Sequence, residues 1–189
     1  NPDLVGIAEL TPVFLKAFED LREEYPFQVV YPATDGFGIG LFSKKELLEP
    51  RIESLSTDIP FIKAQIQVGG VSIDVLVVHL LPPVTPSWFE RRNTSLQELA
   101  AFMKPDQKTL VMGDFNLTPW SRFYQQFLAD TQLNTARNIR NGFQTSWYGW
   151  GFYLPIDQVF LSQGIAIQNF TVGPDIGSDH RPLLIELSL

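Results

Sequence analysis

The sequence has 189 residues, a net charge of −7 at neutral pH and no cysteine. Its length fits a single domain over residues 1–189, and the lack of cysteine excludes disulfides, thiol catalysis and thiolate metal sites. A chain this acidic lacks the overall positive charge of a non-specific DNA binder, although acids gathered around a metal ion need not repel a bound phosphate.

The first half of the chain alternates segments typical of strands and helices. A β-rich run at residues 4–10 precedes Thr11 and Pro12, a helix cap with proline at the first helical position. Two further strands are predicted at residues 27–33 and 37–43. The apolar runs on either side of Gly69-Gly70 predict a β-hairpin, because a two-residue glycine turn joins them.

The second half continues this alternation. A proline-rich loop leads into a helix predicted over about residues 88–103, and Thr118-Pro119 starts another helix after the strand "TLVMGDFN". Three strands are predicted at the end, in "IDQVFLS", "IAIQNFTV" and "PLLIELSL". Hairpins among helices favour mixed, largely antiparallel sheets with helices outside. No apolar run approaches the roughly 20 residues of a membrane-spanning helix, so we expect a water-soluble domain.

Chemically capable side chains recur at the ends of the predicted strands. They are Glu9, His79, Asp114 and Asn116 after strands, and Asp157 and Asp179-His180 before them. Strands of opposite direction would bring these ends to one edge of a sheet, where carboxylates suit Mg²⁺ or Mn²⁺. The two histidines can bind phosphate or transfer protons. Each residue alone also fits a turn, a cap or a half-buried position, and their recurrence favours function.

Five segments together resemble a known superfamily. They are, in chain order, "PDLVGIAEL", "VVHLLPP", "VMGDFN", "PIDQVFLS" and "GSDHRPL". The chain is similar along its whole length to the endonuclease/exonuclease/phosphatase superfamily. The resemblance implies the DNase I-like fold, a four-layer α/β/β/α sandwich of two mixed, largely antiparallel sheets with outer helices. It also implies metal-dependent hydrolysis of phosphoester bonds.

The resemblance further implies roles for single residues. Glu9 would be the principal ligand of Mg²⁺ or Mn²⁺, and Asp179 would lie beside that metal or bind a second one. Asp114 would orient and deprotonate the attacking water. Asn116 would hold either the phosphate or the carboxylate of Asp114.

The two histidines also receive roles from the resemblance. His180, oriented by Asp157, would contact the scissile phosphate and stabilise its developing charge in the transition state. His79 would donate to a phosphate oxygen. The superfamily often pairs this first histidine with a carboxylate from an earlier strand, and here Asp35 is the nearest candidate for that partner.

The beginning of the sequence departs from the superfamily pattern. The first strand of the superfamily ends in an asparagine that helps to hold the metal, and no counterpart precedes Asn1-Pro2. We therefore expect a domain truncated at its N-terminus, with an unpaired sheet edge and weak metal binding if that strand is absent. The segments "TPWS" and "GPDIGSDHRPL" resemble a bacterial subgroup in which membrane helices precede this domain, which implies a membrane-associated full-length protein. The sequence does not indicate its compartment.

The substrate is the least determined point. The leading interpretation is a phosphodiesterase or nuclease acting on nucleic acid; a phosphatase or phospholipase on a lipid or sugar phosphate, and an inactive binding module, stay open. The arginines available to track phosphates are Arg91, Arg92, Arg137, Arg140 and Arg181, and Arg92 is the candidate for substrate binding. An aromatic loop at residues 147–153, with Trp147 as its candidate substrate contact, can stack on bases or contact lipid. No protein partner is indicated.

Overall fold

The computed structural model describes residues 1–104, 106–137 and 144–189. The strands are β1 (Leu4–Ala8), β2 (Phe27–Tyr31), β3 (Ile39–Ser43), β4 (Leu48–Ser54), β5 (Pro60–Val68), β6 (Val71–His79), β7 (Lys108–Asp114), β8 (Asn134–Thr135), β9 (Trp147–Gly149), β10 (Phe152–Leu154), β11 (Asp157–Leu161), β12 (Ala166–Val172) and β13 (Leu183–Ser188). The helices are α1 (Pro12–Ala17), α2 (Pro86–Phe102) and α3 (Arg122–Thr131), with a short 3-10 helix at Glu19–Arg22.

A six-stranded sheet forms the centre of the molecule, in the order β4-β5-β6-β7-β11-β8. Strands β6 and β7 run parallel, and the other neighbours are antiparallel. The two faces of β6 are both buried: Leu76 and Val78 pack towards the helices, whereas Val75 and Val77 pack towards other strands. Burial on both faces explains why this strand reads as an unbroken apolar run.

One face of this sheet packs against two smaller sheets, β1-β3-β2 and β12-β13. Ile39 and Leu41 from β3, and Phe170 from β12, join the apolar residues of the central sheet in one core. On its other side, the β1-β3-β2 sheet packs against α1 through a small cluster that includes Leu10 and Phe42. Among the described residues, β1 pairs only with β3 and lies at the edge of this sheet.

Helices α2 and α3 cover the opposite face of the central sheet. Leu96 and Leu99 of α2, and Tyr124 and Phe127 of α3, pack in a second core with Phe160 of β11. The order of layers is therefore helix, sheet, sheets, helix, which confirms the predicted four-layer sandwich of mixed, largely antiparallel sheets. None of the described helices is both long enough and apolar enough to span a membrane.

Several local predictions need correction. Strand β4 was not predicted, because "LEPRIES" is polar and carries Pro50, and such strands occur at sheet edges. The first helix ends at Ala17 and gives way to the 3-10 helix. Phe37 precedes β3 instead of starting it, and the aromatic loop contains the β9-β10 hairpin. Arg140 lies outside the described residues.

Candidate active site

Three predicted site residues lie side by side at one edge of the central sheet. His79, the last residue of β6, pairs in register with Asp114, the last residue of the parallel strand β7. Asp157, the first residue of β11, pairs with Asp114 from the other side. Strand directions alone therefore bring together an imidazole and two carboxylates that are far apart in the sequence.

Gly113 allows Asp114 to reach this position. Its φ of 143° is strained for any residue with a side chain, and an added Cβ would lie 1.9 Å from the backbone oxygen of Val78. The close approach of β6 and β7 at this point requires glycine. The carboxylate of Asp114 is consequently held at the sheet edge with only 3% of the residue exposed.

Asn116 holds the carboxylate of Asp114 through two hydrogen bonds. Its backbone N–H donates to Oδ1 of Asp114 at 2.7 Å, and its side-chain Nδ2 donates to Oδ2 at 3.0 Å. The same Nδ2 also donates to the backbone oxygen of Leu80 at 2.8 Å. Asn116 has a left-handed φ of 49°, which asparagine tolerates better than most residues. Of the two roles predicted for this side chain, the geometry matches the one that holds the carboxylate.

His180 approaches the row from the segment before β13 and pairs with Asp157. Its Nδ1 lies 3.0 Å from Oδ2 and 3.1 Å from Oδ1 of Asp157, and its Nε2 lies 3.8 Å from Oδ2 of Asp114. Burial alone would lower the pKa of His180, but the hydrogen bond and charge of Asp157, helped by Asp114 and Asp179, raise it to about 9. This imidazole is therefore a cation at neutral pH.

His79 has the opposite protonation state. Burial and the positive charge of His180 lower the pKa of His79 to about 4. The backbone of Gly36 and the negative charge of Asp157 raise this pKa by smaller amounts. Its Nε2 lies 3.6 Å from Oδ2 of Asp114, and its buried Nδ1 has no hydrogen-bond partner. Its ring packs against Phe37 at a centroid distance of 5.4 Å. The carboxylate partner proposed for it, Asp35, is exposed and instead accepts the backbone N–H of Phe37.

The carboxylate of Asp114 is destabilised as an anion. Burial first, and then the negative charges of Asp157 and Glu9, raise the pKa of Asp114 well above its usual value, while His180 and the backbone N–H of Asn116 oppose this. A carboxylate buried beside other carboxylates is costly unless a cation or a proton compensates it. The site is thus suited to a bound divalent cation.

All but one of the predicted site residues line a single cleft of about 700 Å³. Glu9 and Asp179, the predicted metal ligands, are both in its wall, and Oδ2 of Asp179 accepts a hydrogen bond from Nε1 of Trp147 at 3.0 Å. Glu9 has a left-handed φ of 56° just after β1. Asp157 is not in the wall and reaches the cleft through His180.

A second group of side chains, besides the predicted metal ligands, offers atoms that could hold a metal ion. Oxygen or nitrogen atoms of Asp114, Asp157 and His180 lie within 4.8 Å of one another. Nδ1 of His180 already contacts Asp157, so two of these three side chains are bonded to each other. Glu9 and Asp179 stay the predicted ligands.

The arginines behave differently from one another. Arg92 lines the cleft, but it is 3% exposed, and its Nη1 donates to the backbone oxygen of Asn116 at 2.5 Å. Arg137 is buried and donates to the backbone oxygen of Asp157 at 3.1 Å, so it supports the strand instead of tracking phosphate. Arg91 donates to the backbone oxygen of Thr57, and Arg181 is exposed beside His180.

Several residues of the cleft were not predicted from the sequence. Phe37 was assigned to a strand, and Trp88 to the start of a helix, but both line the cleft, as do Thr118 and Ser121. The signals were present in part: Gly36 and Gly38 flank Phe37, and glycine often marks a loop. No pattern in the sequence indicated that the loop after β7 folds against the same opening.

The four-layer sandwich and its carboxylate–imidazole edge define a class, the DNase I-like phosphohydrolases. The sequence model of the Endonuclease/Exonuclease/phosphatase family matches residues 1–180. The chain therefore belongs to this family, whose members are enzymes that hydrolyse phosphoester bonds. No curated protein matches the sequence.

Solved structures with the same fold are distant in sequence. An endonuclease/exonuclease/phosphatase from Beutenbergia cavernae is 17% identical, with a TM-score of 0.81 over 100% of this chain and 63% of its own. D. rerio TDP2 complexed with a single-strand DNA product is 15% identical, with a TM-score of 0.78 over 100% and 86%. Sphingomyelinase C from Streptomyces griseocarneus is 17% identical, with a TM-score of 0.66 over 98% and 83%. This chain thus spans less than two thirds of the Beutenbergia protein.

Proposed function

We propose that the protein is a divalent-metal-dependent phosphodiesterase whose reaction takes place over the row of His79, Asp114 and Asp157. The observation that carries this proposal is the buried carboxylate of Asp114, which is held by Asn116 and faces the cationic ring of His180 at 3.8 Å. A base and a cation on one edge are the two groups that hydrolysis at phosphorus needs from a protein.

Asp114 is proposed as the general base. Its raised pKa makes it a stronger base than an ordinary carboxylate, and the hydrogen bonds from Asn116 orient its two oxygens. In the reaction, water loses a proton to Asp114 and adds to phosphorus, and one P–O ester bond breaks. The departing oxygen takes a proton from solvent water and Asp114 returns its own proton to solvent, so that the products are a phosphomonoester and an alcohol.

His180 is proposed to stabilise the charge that develops on phosphate oxygens. Asp157 keeps its ring protonated and fixes its orientation, so that Nε2–H is free to donate towards the cleft. His79 is neutral at pH 7 and is proposed to donate a hydrogen bond from Nε2 to a phosphate oxygen. Its buried Nδ1 has no hydrogen-bond partner among the described residues.

Glu9 and Asp179 are proposed to hold Mg²⁺ or Mn²⁺. Both offer carboxylate oxygens in the cleft wall, which are the ligands that these hard cations prefer, and the charge of Glu9 acts on Asp114. When bound, such a cation supplies charge neutralisation at the phosphate oxygens.

The class of phosphodiester is a separate question. The sequence favours nucleic acid as the substrate, and that stays a prediction. A nuclease tracks phosphates with Lys and Arg, yet the described residues of the cleft wall include only one such side chain, the buried Arg92. The cleft of about 700 Å³ leaves room for substituents on both ester oxygens of a phosphate.

A panel of substrates tests the proposal. A chromogenic phosphodiester, its monoester counterpart and supercoiled plasmid are each incubated with Mg²⁺, with Mn²⁺ and with EDTA. We expect metal-dependent release from the diester and none in EDTA. Hydrolysis of the monoester alone would indicate a phosphatase instead of a phosphodiesterase. Lack of any metal-dependent hydrolysis would support an inactive binding module.

A further inference from the structure

Five exposed apolar side chains belong to loops that contribute residues to the cleft wall. We call them the apolar rim: Val84, Trp120, Trp150, Phe152 and Ile176, whose exposed fractions range from 53% to 83%. Large apolar side chains grouped on a surface mark an interaction site more often than single ones do. The core of the fold is filled by other residues, many of them aromatic. Core packing therefore does not explain why these five side chains face solvent.

The rim comes from four different loops that leave the same edge of the molecule. Val84 follows β6, Trp120 follows β7, Trp150 and Phe152 belong to the β9-β10 hairpin, and Ile176 lies between β12 and β13. Three of them line the cleft itself. Trp120 stands between Thr118 and Ser121, which also line it, and Ile176 precedes Asp179 by three residues. The rim therefore comes from the same loops that supply the wall of the candidate active site.

Trp150 occupies the tip of its hairpin at a cost in backbone energy. Gly149 pairs with Phe152, so Trp150 and Gly151 form a two-residue turn with φ values of 50° and 81°. Such turns favour asparagine or glycine, and a bulky aromatic residue at positive φ is unusual. Trp150 is 83% exposed, and its ring meets that of Trp147 edge-on at a centroid distance of 6.1 Å, so most of its side chain faces solvent. A contact outside the molecule accounts for it better.

The hairpin is tied to the catalytic segment. Trp147 forms a bridge with His180, the backbone N–H of Tyr148 donates to Asp179, and that of Arg181 donates to Ser146. Through these bonds the exposed hairpin is held directly beside His180 and Asp179. Whatever surface the rim contacts is therefore brought against the cleft.

The charges near the rim indicate the nature of that surface. The described cleft wall carries four carboxylates, from Glu9, Asp35, Asp114 and Asp179, and its single arginine, Arg92, is buried. Exposed Arg122 and Arg181 flank the wall without lining it. A polyanion such as DNA needs a continuous set of cations, whereas the interface of a zwitterionic bilayer accepts tryptophan and scattered arginines.

We propose that the apolar rim inserts into the interfacial region of a zwitterionic phospholipid bilayer. The cleft would then lie over the head groups, whose phosphodiester is the substrate. The hydrolytic part of this inference rests on the proposed function, but the docking part does not, and the two are tested separately. Nucleic acid is the competing partner, because the same aromatic side chains stack on bases.

Binding is measured first, in EDTA, so that hydrolysis plays no part. All four tryptophans of the chain lie in the cleft wall or, for Trp120, between two wall residues, so intrinsic fluorescence reports on the rim. With phosphatidylcholine vesicles we expect a blue shift of the emission and co-sedimentation of the protein, both insensitive to salt. Replacing part of the phosphatidylcholine by an anionic lipid is not expected to strengthen binding, because the wall is acidic.

Variants then locate the contact. Trp120→Ser/Ile176→Ser changes two rim residues from different loops outside the cleft wall, and it is expected to weaken co-sedimentation by about tenfold or more while hydrolysis of a soluble diester is unchanged. Trp150→Ser is a second, independent test should the double variant fail to fold. Val71→Ser is the matched control, since Val71 is exposed at the far end of β6, about 26 Å from His79 at the rise of a strand.

Three results would overturn the docking proposal: no vesicle binding by the unaltered protein, equal binding by the rim variants, or binding of a short single-stranded DNA, lost in the same variants, without vesicle binding. The last result would assign the rim to base stacking. If vesicles bind but no metal-dependent hydrolysis of any diester is found, the proposed function fails while the docking surface stands.

Discussion

The imidazole of His180 lies against the carboxylate of Asp157, with Nδ1 at 3.0 Å from Oδ2 and 3.1 Å from Oδ1. The two residues are contributed by different sheets: Asp157 starts β11 in the central sheet, and His180 precedes β13 in the packed pair. Their contact joins the layers at the cleft and sets the charge of the imidazole. The first prediction follows from this dependence.

Asp157→Asn removes the charge that keeps His180 protonated and preserves the shape of its partner. We expect the rate of diester hydrolysis at pH 7.5 to fall by about 10²-fold. The alkaline limb of the pH–rate profile should move from near pH 9 towards the ordinary histidine pKa of about 6.5. The measurement is kcat/KM between pH 5 and 10 for both proteins. An unshifted alkaline limb would show that Asp157 does not control His180.

The two histidines should titrate far apart. NMR spectra of the imidazoles in EDTA are expected to give one pKa of about 4, for His79, and one of about 9, for His180. His180→Gln and His79→Gln, each lacking one resonance, assign the signals. If both rings titrate near pH 6.5, then the burial and charges that we describe do not act on them as stated.

The same shifts predict how stability depends on pH, with opposite signs. The pKa of His180 is raised by folding, so its stabilisation is complete below about pH 6.5 and is lost as pH rises through about 9. The pKa of His79 is lowered by folding, so stability falls as pH drops from about 6.5 towards 4. Urea unfolding should show the cost of His180→Gln shrinking between pH 6 and pH 9.5. A cost independent of pH would contradict this.

Two substitutions of Asn116 separate the effect of its backbone conformation from the effect of its side-chain hydrogen bonds. Asn116→Gly keeps the left-handed φ of 49° without strain but removes both side-chain hydrogen bonds, whereas Asn116→Ala removes the bonds and adds strain. We expect Ala to lower the free energy of unfolding by about 1 kcal/mol more than Gly does. Activity should fall equally in both, because both remove the side-chain hydrogen bond to Oδ2 of Asp114. Equal stability of the two variants would argue against the strain, and unequal activity against the hydrogen-bond role.

Glu9 is the test of metal binding. Glu9→Gln keeps the size of the side chain but removes one charge from the cleft wall, so the Mg²⁺ concentration for half-maximal activity should rise by about tenfold or more. Asp35→Asn, in the same wall but bonded to Phe37, serves as the control and should leave the metal titration unchanged. An identical titration for Glu9→Gln would remove Glu9 from the ligand set.

Much of this arrangement was predictable from the sequence, and the reason is local. "VMGDFN" carries the glycine that lets Asp114 approach β6 and the asparagine that tolerates a left-handed turn, so motif and geometry coincide. The lack of a contact between His79 and its candidate partner Asp35 was less predictable. A side-chain contact between two segments cannot be inferred from the sequence of either segment alone. The apolar rim was only partly predictable from the sequence. An aromatic run is equally compatible with an exposed surface and with the core, and the packing of the loops determines which of the two occurs.

The burial of Arg92 and Arg137 also required the structure. From the sequence, both are predicted as cations available for phosphate, whereas their guanidinium groups donate to the backbone oxygens of Asn116 and Asp157. Long side chains can turn inward or outward from the same backbone position, and no periodicity in the sequence reports which.

The most direct test of the central claim compares the unaltered protein with Asp114→Asn on a soluble phosphodiester at pH 7.5 with Mg²⁺. The substitution keeps the size and one oxygen of the side chain but removes the base. We predict a loss of kcat/KM of about 10³-fold or more, with an unfolded fraction no larger than in the control Asp35→Asn. Undiminished hydrolysis by a folded Asp114→Asn protein would contradict a reaction centred on this carboxylate.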